Sequence, residues 1–254
     1  MAGHVPAVRP PSGATPPSGL ARSWRIFQAM RAEQADPVAA YSLLAADTAE
    51  LLAAYHPLAG AVAVDVGGGP GYTAEALRAA GAAAFTLDPF PDELRLHGRT
   101  PVGAVVGDGL RLPLGDGTVD VVTTLNALEH VPTPWPFLEE LLRACRPGGI
   151  VLVGLTNWLS PWGGHETSPW HYLGGERAAR RYEARTGHPA KNRYGSSLFE
   201  VSVADVLRWA DGCGSATVLD AFPRYYPRWC RPLVRIPGVR EVATWNLALV
   251  MEKR

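Results

Sequence analysis

Two helices are predicted ahead of any strand, because apolar residues between Ser23 and Tyr55 recur at helical intervals. In the second helix the recurring positions are Tyr41, Leu44, Thr48, Leu51 and Leu52. Pro37 stands at its start, and proline fits the first turn of a helix because an N–H there has no intrahelical partner. We therefore expect a pair of leading helices over residues 23–58.

The hydrophobic period changes after residue 60. Short β-branched runs typical of buried strands follow, with helical segments between several of them, at residues 61–66, 83–88, 103–108, 120–125 and 150–155. Strands that alternate with helices need crossover connections, which favour a mostly parallel sheet covered on both faces. Two further runs, from Ala216 and from Ala243, predict the last two strands. The pattern therefore predicts a single, doubly wound α/β domain with a seven-stranded sheet.

The alternation of strands and helices stops after Leu155. The next residues are rich in glycine, tryptophan, histidine and arginine, and a helical pattern resumes only after residue 200. A departure of this length inside a compact domain is usually functional. The domain predicted over residues 23–254 thus divides into leading helices (23–58), a ligand-binding core (60–155), an insertion (156–200) and a C-terminal helix with two strands (201–254).

Composition narrows the class of partner. Of the 254 residues, 47% are hydrophobic, as in an ordinary globular protein, and the formal net charge is zero. The chain has no long basic run, which argues against nucleic acid as a partner. Cys145, Cys213 and Cys230 have neither the number nor the spacing of a disulfide framework or a structural zinc site. A reducing, cytoplasmic setting is therefore expected.

The N-terminal segment differs from the rest of the chain. Residues 1–22 contain repeated prolines and no apolar core long enough for a secretory signal, which predicts a disordered tail. No apolar run approaches the ~20 residues that span a bilayer, so stable membrane insertion is not expected. The basic and aromatic residues at 222–240 are compatible with peripheral membrane contact. The prolines of that segment favour a connection between strands instead.

The strongest local signal is the turn VDVGGGPGYT, residues 64–73, between a predicted strand and a predicted helix. Glycine lets the backbone approach a ligand closely, and the N-terminus of the following helix offers unpaired amides, so a nucleotide-like ligand is expected. The dinucleotide pattern G-x-G-x-x-G/A fails because Tyr72 occupies its last position. The pattern D-x-G-x-G-x-G fits, at Asp65, Gly67, Gly69 and Gly71.

Acidic residues end the next two predicted strands. Asp88 lies about twenty residues beyond the glycine turn, where a carboxylate accepts hydrogen bonds from ribose hydroxyls. Asp108 ends the third strand, where a carboxylate can accept from the exocyclic amine of adenine. Because the carboxyl ends of parallel strands line one crevice, Asp65, Asp88 and Asp108 predict a single binding site.

The ordered set of motifs resembles the class I S-adenosylmethionine-dependent methyltransferases, in particular their small-molecule methyltransferase-domain branch. The matching segments are VDVGGGPG, Asp88, VVGDGLRLPLGDGTVDVVTTLNALEHV and LLRACRPGG, within about residues 60–155. The flanking segments GGHETSPWHYLGG and NRYGSSLF are similar to a group of actinobacterial methyltransferases of unassigned substrate. The resemblance implies a Rossmann-like fold and S-adenosylmethionine as the cofactor.

The resemblance also implies a role for each residue of the cofactor site. The glycine turn would pass beneath the methionine part of the cofactor, and Asp65, with backbone near Asn126, would hold its amino group. Asp88 would bind the ribose and Asp108 the adenine edge. The complete set of implied cofactor residues is Asp65, Gly67, Gly69, Gly71, Asp88, Asp108, Gly109 and Asn126.

Methyl transfer from a sulfonium needs little from the protein beyond alignment of the acceptor and, for a hydroxyl acceptor, removal of its proton. Histidine suits this task because its unperturbed pKa lies near neutrality. His130 follows the fourth strand, near the cofactor in the resemblance. His165 lies in the insertion beside Glu166, which is expected to orient it. His165, Glu166 and His130 are therefore the predicted catalytic residues.

The stretch GGHETSPWHYLGG, residues 163–175, belongs to the insertion. It is not an HExxH metal motif, since His165 lies six positions before His171 and Pro169 interrupts any helix, so no metal is expected. Its aromatic residues predict an apolar wall for the acceptor, with packing of the loop onto the sheet as the alternative. The predicted acceptor contacts are Trp162, Trp170, His171 and Tyr172.

The sequence therefore predicts an S-adenosylmethionine-dependent methyltransferase that acts on a small-molecule or glycan acceptor, with transfer to oxygen preferred. Transfer to carbon or nitrogen is the enzymatic alternative. A cofactor-binding module without catalysis is the alternative outside enzymes. The intact glycine turn and the acids at the strand ends favour the enzyme.

Overall fold

The computed structural model describes residues 16–254. Its strands are β1 (Val62–Val66), β2 (Ala83–Asp88), β3 (Val105–Val106), β4 (Val119–Leu125), β5 (Cys145–Thr156), β6 (Ala216–Pro223) and β7 (Asn246–Lys253). They form one sheet in the order β3-β2-β1-β4-β5-β7-β6. β1 to β5 run parallel, whereas β7 is antiparallel to both β5 and β6. The predicted seven-stranded, mostly parallel sheet is confirmed.

Helices cover both faces of the sheet. They are α1 (Leu20–Ala32), α2 (Pro37–Ala53), α3 (Tyr72–Ala79), α4 (Pro91–Leu94), α5 (Pro134–Ala144), α6 (Gly175–Thr186), α7 (Val203–Gly212) and α8 (Val239–Ala243). Successive residues of β1 face opposite sides, as in any strand. Val64 packs in one hydrophobic core with residues of α5 and α7, and Ala63 packs in a second core with residues of α2 and α3. The fold is therefore doubly wound around two cores.

The leading helices are fixed by polar contacts as well as by packing. α2 begins at Pro37, as predicted, and the Asp36 carboxylate accepts from the Ala39 amide at 3.0 Å. The Arg22 guanidinium donates to both carboxylate oxygens of Asp47, at 2.5 and 2.6 Å, and to the carbonyl of Arg224 at 3.0 Å. Both ends of the Arg22–Asp47 pair are buried. The pair therefore ties α1 to α2 and to the end of β6.

The predicted tail needs a correction at its C-terminal boundary. Residues 1–15 lie outside the described part of the chain. α1 begins at Leu20, three residues before the predicted domain start, and Arg22 is buried. The first turn of α1 belongs to the domain because its arginine has a buried partner.

Two strands differ in length from the prediction. The run at 103–108 contributes only Val105 and Val106, which pair with Leu87 and Asp88 at the edge of the sheet. β5 begins at Cys145, five residues before the predicted start. β3 lies at one edge of the sheet, and Gly107, a residue type that weakens strands, directly follows it.

The insertion and the last connection consist of short helical segments. After β5 come the 3₁₀ helices His165–Thr167 and Trp170–Leu173 and then α6. The basic and aromatic stretch at 222–240 leads from β6 through the 3₁₀ helix Arg228–Arg235 towards α8 and β7, in agreement with the predicted connection. Among residues 16–254, no helix has the length and apolar character needed to cross a bilayer.

Candidate active site

The glycine turn after β1 is shaped by three residues in the left-handed region. Gly67, Gly69 and Gly71 have φ of 73°, 46° and 76°, which side-chain-bearing residues rarely adopt. A Cβ on Gly67 would lie 2.6 Å from Cβ of Ala127, and one on Gly71 would lie 2.6 Å from Cβ of Pro101. The turn is thus packed directly against the segment after β4, and it leads into α3.

Two buried acids flank this turn. Asp65 accepts from Thr123 Oγ1 at 2.6 Å, and burial raises its pKa to about 6, partly offset by hydrogen bonds from Thr123 and Thr73. Asp88 accepts from the Gly69 amide at 3.1 Å and from the Phe90 amide at 2.9 Å. Burial also raises the pKa of Asp88. The second acid therefore holds the glycine turn itself in place.

The other predicted cofactor residues follow the third and fourth strands. The exposed Asp108 accepts from the Leu110 amide at 2.8 Å, and Gly109 faces the Phe137 ring so closely that a Cβ would clash with it. Asn126 has φ 54°, and its Oδ1 accepts from Asn246 Nδ2 at 2.6 Å. Left-handed geometry at Asn126 turns the chain sharply at the end of β4, toward Gly67.

Three side chains from two segments meet after the end of β4. Glu129 and His130 lie on the 3₁₀ helix Leu128–His130 after β4, and His165 comes from the insertion. One ligand atom of each lies within 4.8 Å of those of the other two. The His130 and His165 ring centroids are 5.1 Å apart. We name this group the Glu129–His130–His165 cluster.

Several polar atoms of the cluster remain free. Glu129 is 1% exposed, its Oε1 accepts from the Thr156 amide at 3.1 Å, and its Oε2 has no hydrogen-bond partner among residues 16–254. Nε2 of His165 is likewise buried without a partner in that part of the chain. Nδ1 of His130 donates to the Ser197 carbonyl at 2.6 Å, which leaves its Nε2 for another partner.

Burial shifts the pKa values of the cluster in opposite directions. Burial raises the pKa of Glu129, and the nearby His130 partly offsets this. Burial, together with the nearby His130 and His171, lowers the pKa of His165 to about 4. The His165 imidazole is therefore neutral at physiological pH.

The loop that carries His165 is held by close backbone packing. A Cβ on Gly163 would meet the carbonyl oxygen of Asn157 at 2.5 Å, and one on Gly164 would meet the His171 ring at 2.5 Å. His171 is 1% exposed, and its Nε2 donates to the Ser160 carbonyl at 3.2 Å. The two glycines and His171 therefore fix the loop, with His165 at φ 48°.

Comparison with known proteins identifies the family. The family model described as a methyltransferase domain matches residues 64–153. A Mycobacterium marinum protein named as an uncharacterized methyltransferase is 47% identical over 245 residues, which cover 92% of this chain and 95% of that protein. The chain belongs to the S-adenosylmethionine-dependent methyltransferases. S-Adenosylmethionine is its cofactor.

Solved structures share the fold of this methyltransferase. A TehB-like S-adenosylmethionine-dependent methyltransferase from Corynebacterium glutamicum superposes with a TM-score of 0.54 at 18% identity, covering 92% of this chain and 99% of that one. An S-adenosylmethionine-dependent methyltransferase from Mesorhizobium loti gives a TM-score of 0.55 at 16% identity, covering 84% and 98%. At these identities the likeness is one of fold.

The methyltransferase brings two of its three predicted catalytic residues together. His130 and His165 meet in the cluster, but Glu166 is exposed, and its Oε1 accepts from Asn192 Nδ2 at 3.0 Å. The expectation that Glu166 orients His165 is therefore corrected, since the acid beside His165 is Glu129. The successive positions 165 and 166 lie on a tight 3₁₀ turn, which directs their side chains apart.

Of the four predicted acceptor contacts, three are exposed and one is buried. Trp162, Trp170 and Tyr172 are 44%, 41% and 44% exposed, whereas His171 is buried and supports the loop. Trp162 stacks on Trp245 at 4.1 Å between centroids, and Trp170 lies under the Arg181 guanidinium at 3.9 Å. His171 is thereby corrected from an acceptor contact to a structural residue.

Sequence reasoning missed Glu129 and Gly68. A Cβ on Gly68 would clash with the Asp65 and Thr86 side chains, so this glycine is needed for packing although the D-x-G-x-G-x-G pattern skips it. Glu129 was visible beside His130, but no local pattern shows that its carboxylate turns inward. The one available signal was an acid directly next to a histidine at the end of a predicted strand.

Proposed function

We propose that this methyltransferase transfers the cofactor's methyl group to a hydroxyl oxygen of a small-molecule or glycan acceptor. The observation that carries the proposal is the Glu129–His130–His165 cluster, which has unpartnered polar atoms and adjoins the segment after β4 that packs against the glycine turn at Ala127. A hydroxyl must lose its proton as it is methylated, so this reaction gains most from such groups. In the proposal His130 and His165 face the acceptor oxygen and assist the loss of its proton.

The proposal assigns the cofactor to the crevice at the carboxyl ends of β1, β2 and β4. Gly67, Gly69 and Gly71 lie under its methionine part, and Asp65 with the backbone of Asn126 attracts its ammonium group. Asp88 accepts from the ribose hydroxyls, and Asp108 with Gly109 borders the adenine. The inward turn of Asp65 and Asp88 and their burial support this assignment.

The acceptor is proposed to bind along the insertion. The half-exposed faces of Trp162, Trp170 and Tyr172 offer the flat apolar surface on which aromatic rings and sugars stack. A small pocket beside Trp170 is lined on α6 by Arg181 and Arg185. Guanidinium groups there favour an acceptor that carries an anionic group.

Label transfer tests the proposal directly. The full-length protein is incubated with ¹³C-methyl S-adenosylmethionine and fractions of an actinobacterial extract, and labelled products are read by NMR. Methoxy carbon in a small molecule or glycan supports the proposal. N-methyl or C-methyl carbon would reject transfer to oxygen. Absence of label from every fraction, with the cofactor still bound, would favour a binding module without catalysis.

Cofactor affinity is expected to fall about tenfold between pH 7.5 and pH 5. Burial raises the pKa of Asp65 to about 6, so this carboxyl is ionised above that pH and neutral below it. Only the ionised form attracts the cofactor's ammonium, and one pH unit below the pKa leaves about a tenth of it ionised. Calorimetry across this range measures the change.

The Asp65→Asn variant is the control for this pH dependence. It is expected to bind weakly at pH 7.5 and to lose most of the slope, with the remainder coming from Asp88, whose pKa is also raised by burial. A variant that keeps the full slope would show that another group is responsible.

Replacement of Asp88 by alanine is expected to weaken cofactor binding about 100-fold, because a carboxylate that accepts from two hydroxyls is lost. The Gly69 amide also loses its acceptor. Calorimetry with S-adenosylhomocysteine measures the effect. Asp92→Ala, at an exposed site four residues on, is the matched control and is expected to bind normally. Equal affinities of the two variants would remove Asp88 from the site.

A further inference from the structure

The Glu129–His130–His165 cluster has the composition of a metal site. Its ligand atoms lie within 4.8 Å of one another, and a tetrahedral ion with bonds of about 2.1 Å holds its ligands roughly 3.4 Å apart. A closure on the order of 1 Å therefore brings all three into coordination distance. The two segments that supply them are both close-packed, since Ala127 abuts Gly67 and Gly164 abuts His171.

The free atoms of the cluster supply a second, independent observation. Oε2 of Glu129 and Nε2 of His165 are buried, and neither has a hydrogen-bond partner within the described residues 16–254. A buried polar atom without a partner is costly, and an unpaired carboxylate oxygen more so. Two such atoms in one cluster indicate a group that bonds to both.

The surroundings orient the ligands as metal sites require. The Nδ1–H of His130 donates to the Ser197 carbonyl, so Nε2 is the ring nitrogen left to coordinate a metal. Oε1 of Glu129 is held by the Thr156 amide, which leaves Oε2 for another bond. When a backbone group holds one polar atom of a ligating side chain, the direction of its metal-binding atom is also fixed.

We propose that Glu129, His130 and His165 bind one divalent transition-metal cation, with Zn²⁺ as the representative ion. Two imidazoles and one carboxylate form a donor set that catalytic zinc and related first-row ions use, whereas Mg²⁺ and Ca²⁺ prefer oxygen alone. Three protein ligands leave a coordination position for a further oxygen. This inference departs from the sequence-based expectation of no metal, which considered only His165 and His171 within their loop.

In the proposed methyl transfer, the metal assists removal of the proton from the acceptor hydroxyl. This role of the metal rests on the proposed function. The acceptor hydroxyl occupies the open position, where the cation lowers the pKa of the O–H group. The proton leaves to solvent water, and an oxygen electron pair forms the bond to the methyl carbon. The S–C bond breaks with its electrons on sulfur, which yields S-adenosylhomocysteine and the methyl ether.

Metal binding itself is tested without any acceptor. The full-length protein is stripped with a chelator, and Zn²⁺ is titrated by calorimetry, with Co²⁺ absorption as a spectroscopic check on histidine ligation. The wild type is expected to bind one ion. Glu129→Gln and His165→Ala are each expected to bind it about 100-fold or more weakly. Glu166→Gln and His188→Ala, exposed residues of the same insertion, are matched controls with wild-type affinity.

The affinity of each variant for S-adenosylhomocysteine verifies that it is folded. Zinc affinity that is unchanged in both cluster variants, or absent in the wild type, overturns the metal site. Label transfer at equal rates by the stripped and zinc-loaded proteins overturns the role of the metal in proton removal. If zinc binds as expected but no extract fraction accepts methyl, the metal site stands and the proposed function fails, so the two failures are distinguishable.

Discussion

Replacement of His165 by alanine is expected to lower the rate of methyl transfer by about 10²–10⁴-fold, the range that loss of assistance to proton removal produces. Of the three cluster residues, His165 is the one supplied by the insertion, which also carries the proposed acceptor surface. The initial rate of label transfer into the extract product measures the effect. Affinity for S-adenosylhomocysteine is expected to stay near the wild-type value, because the His165 ring is not in the glycine turn.

His188→Ala provides the comparison for His165→Ala. His188 follows α6 at an exposed position, and its Nδ1 bonds to the Pro189 carbonyl. It is expected to transfer methyl at the wild-type rate. A rate for His165→Ala within a few-fold of this control would remove the cluster from the proposed chemistry.

Replacement of Asp47 by alanine is expected to lower the free energy of unfolding by about 3–5 kcal/mol, as for other buried pairs that lose one partner. The Arg22 guanidinium is held by Asp47 at 2.5 and 2.6 Å and is buried with it. Within residues 16–254, the change leaves the buried positive charge with the Arg224 carbonyl as its one remaining acceptor. Urea denaturation followed by circular dichroism measures the loss.

The exposed pair of Arg208 and Asp205 is the control for this effect. Their side chains are 74% and 44% exposed at a separation of 2.6 Å. Arg208→Ala is expected to cost about 1 kcal/mol or less, because water solvates both groups when the pair is broken. Similar losses in Asp47→Ala and Arg208→Ala would show that the Arg22–Asp47 pair does not hold α1 to the domain.

The sheet could be predicted because its determinants are local. β1, β4 and β5 contain runs of β-branched residues that distinguish them from the helices around them. The extent of β3 could not be predicted, since it depends on pairing with Asp88 and Leu87 at one edge only. The start of α1 at Leu20 could not be predicted from local sequence either, because Asp47, the partner of Arg22, lies 25 residues further along the chain.

In the candidate site, too, some residues could be predicted from local sequence and others could not. Asp65, the glycines and Asp88 follow directly from their own strands, so sequence spacing was sufficient to place them together. The meeting of Glu129 with His165 depends on how the insertion folds back over the end of β4. Burial of His171 and exposure of Glu166 likewise follow from the packing of Gly163 and Gly164, which no local pattern encodes.

The position of β7 has a consequence for synthesis of the chain. β7 is translated after β5 and β6, yet it lies between them in the sheet. Until residues 246–253 leave the ribosome, β5 presents an apolar open edge and β6 lacks its neighbour in the sheet. Such an edge pairs readily with other nascent chains. We therefore expect chaperones to bind chains whose synthesis stalls after β6 and before Asn246.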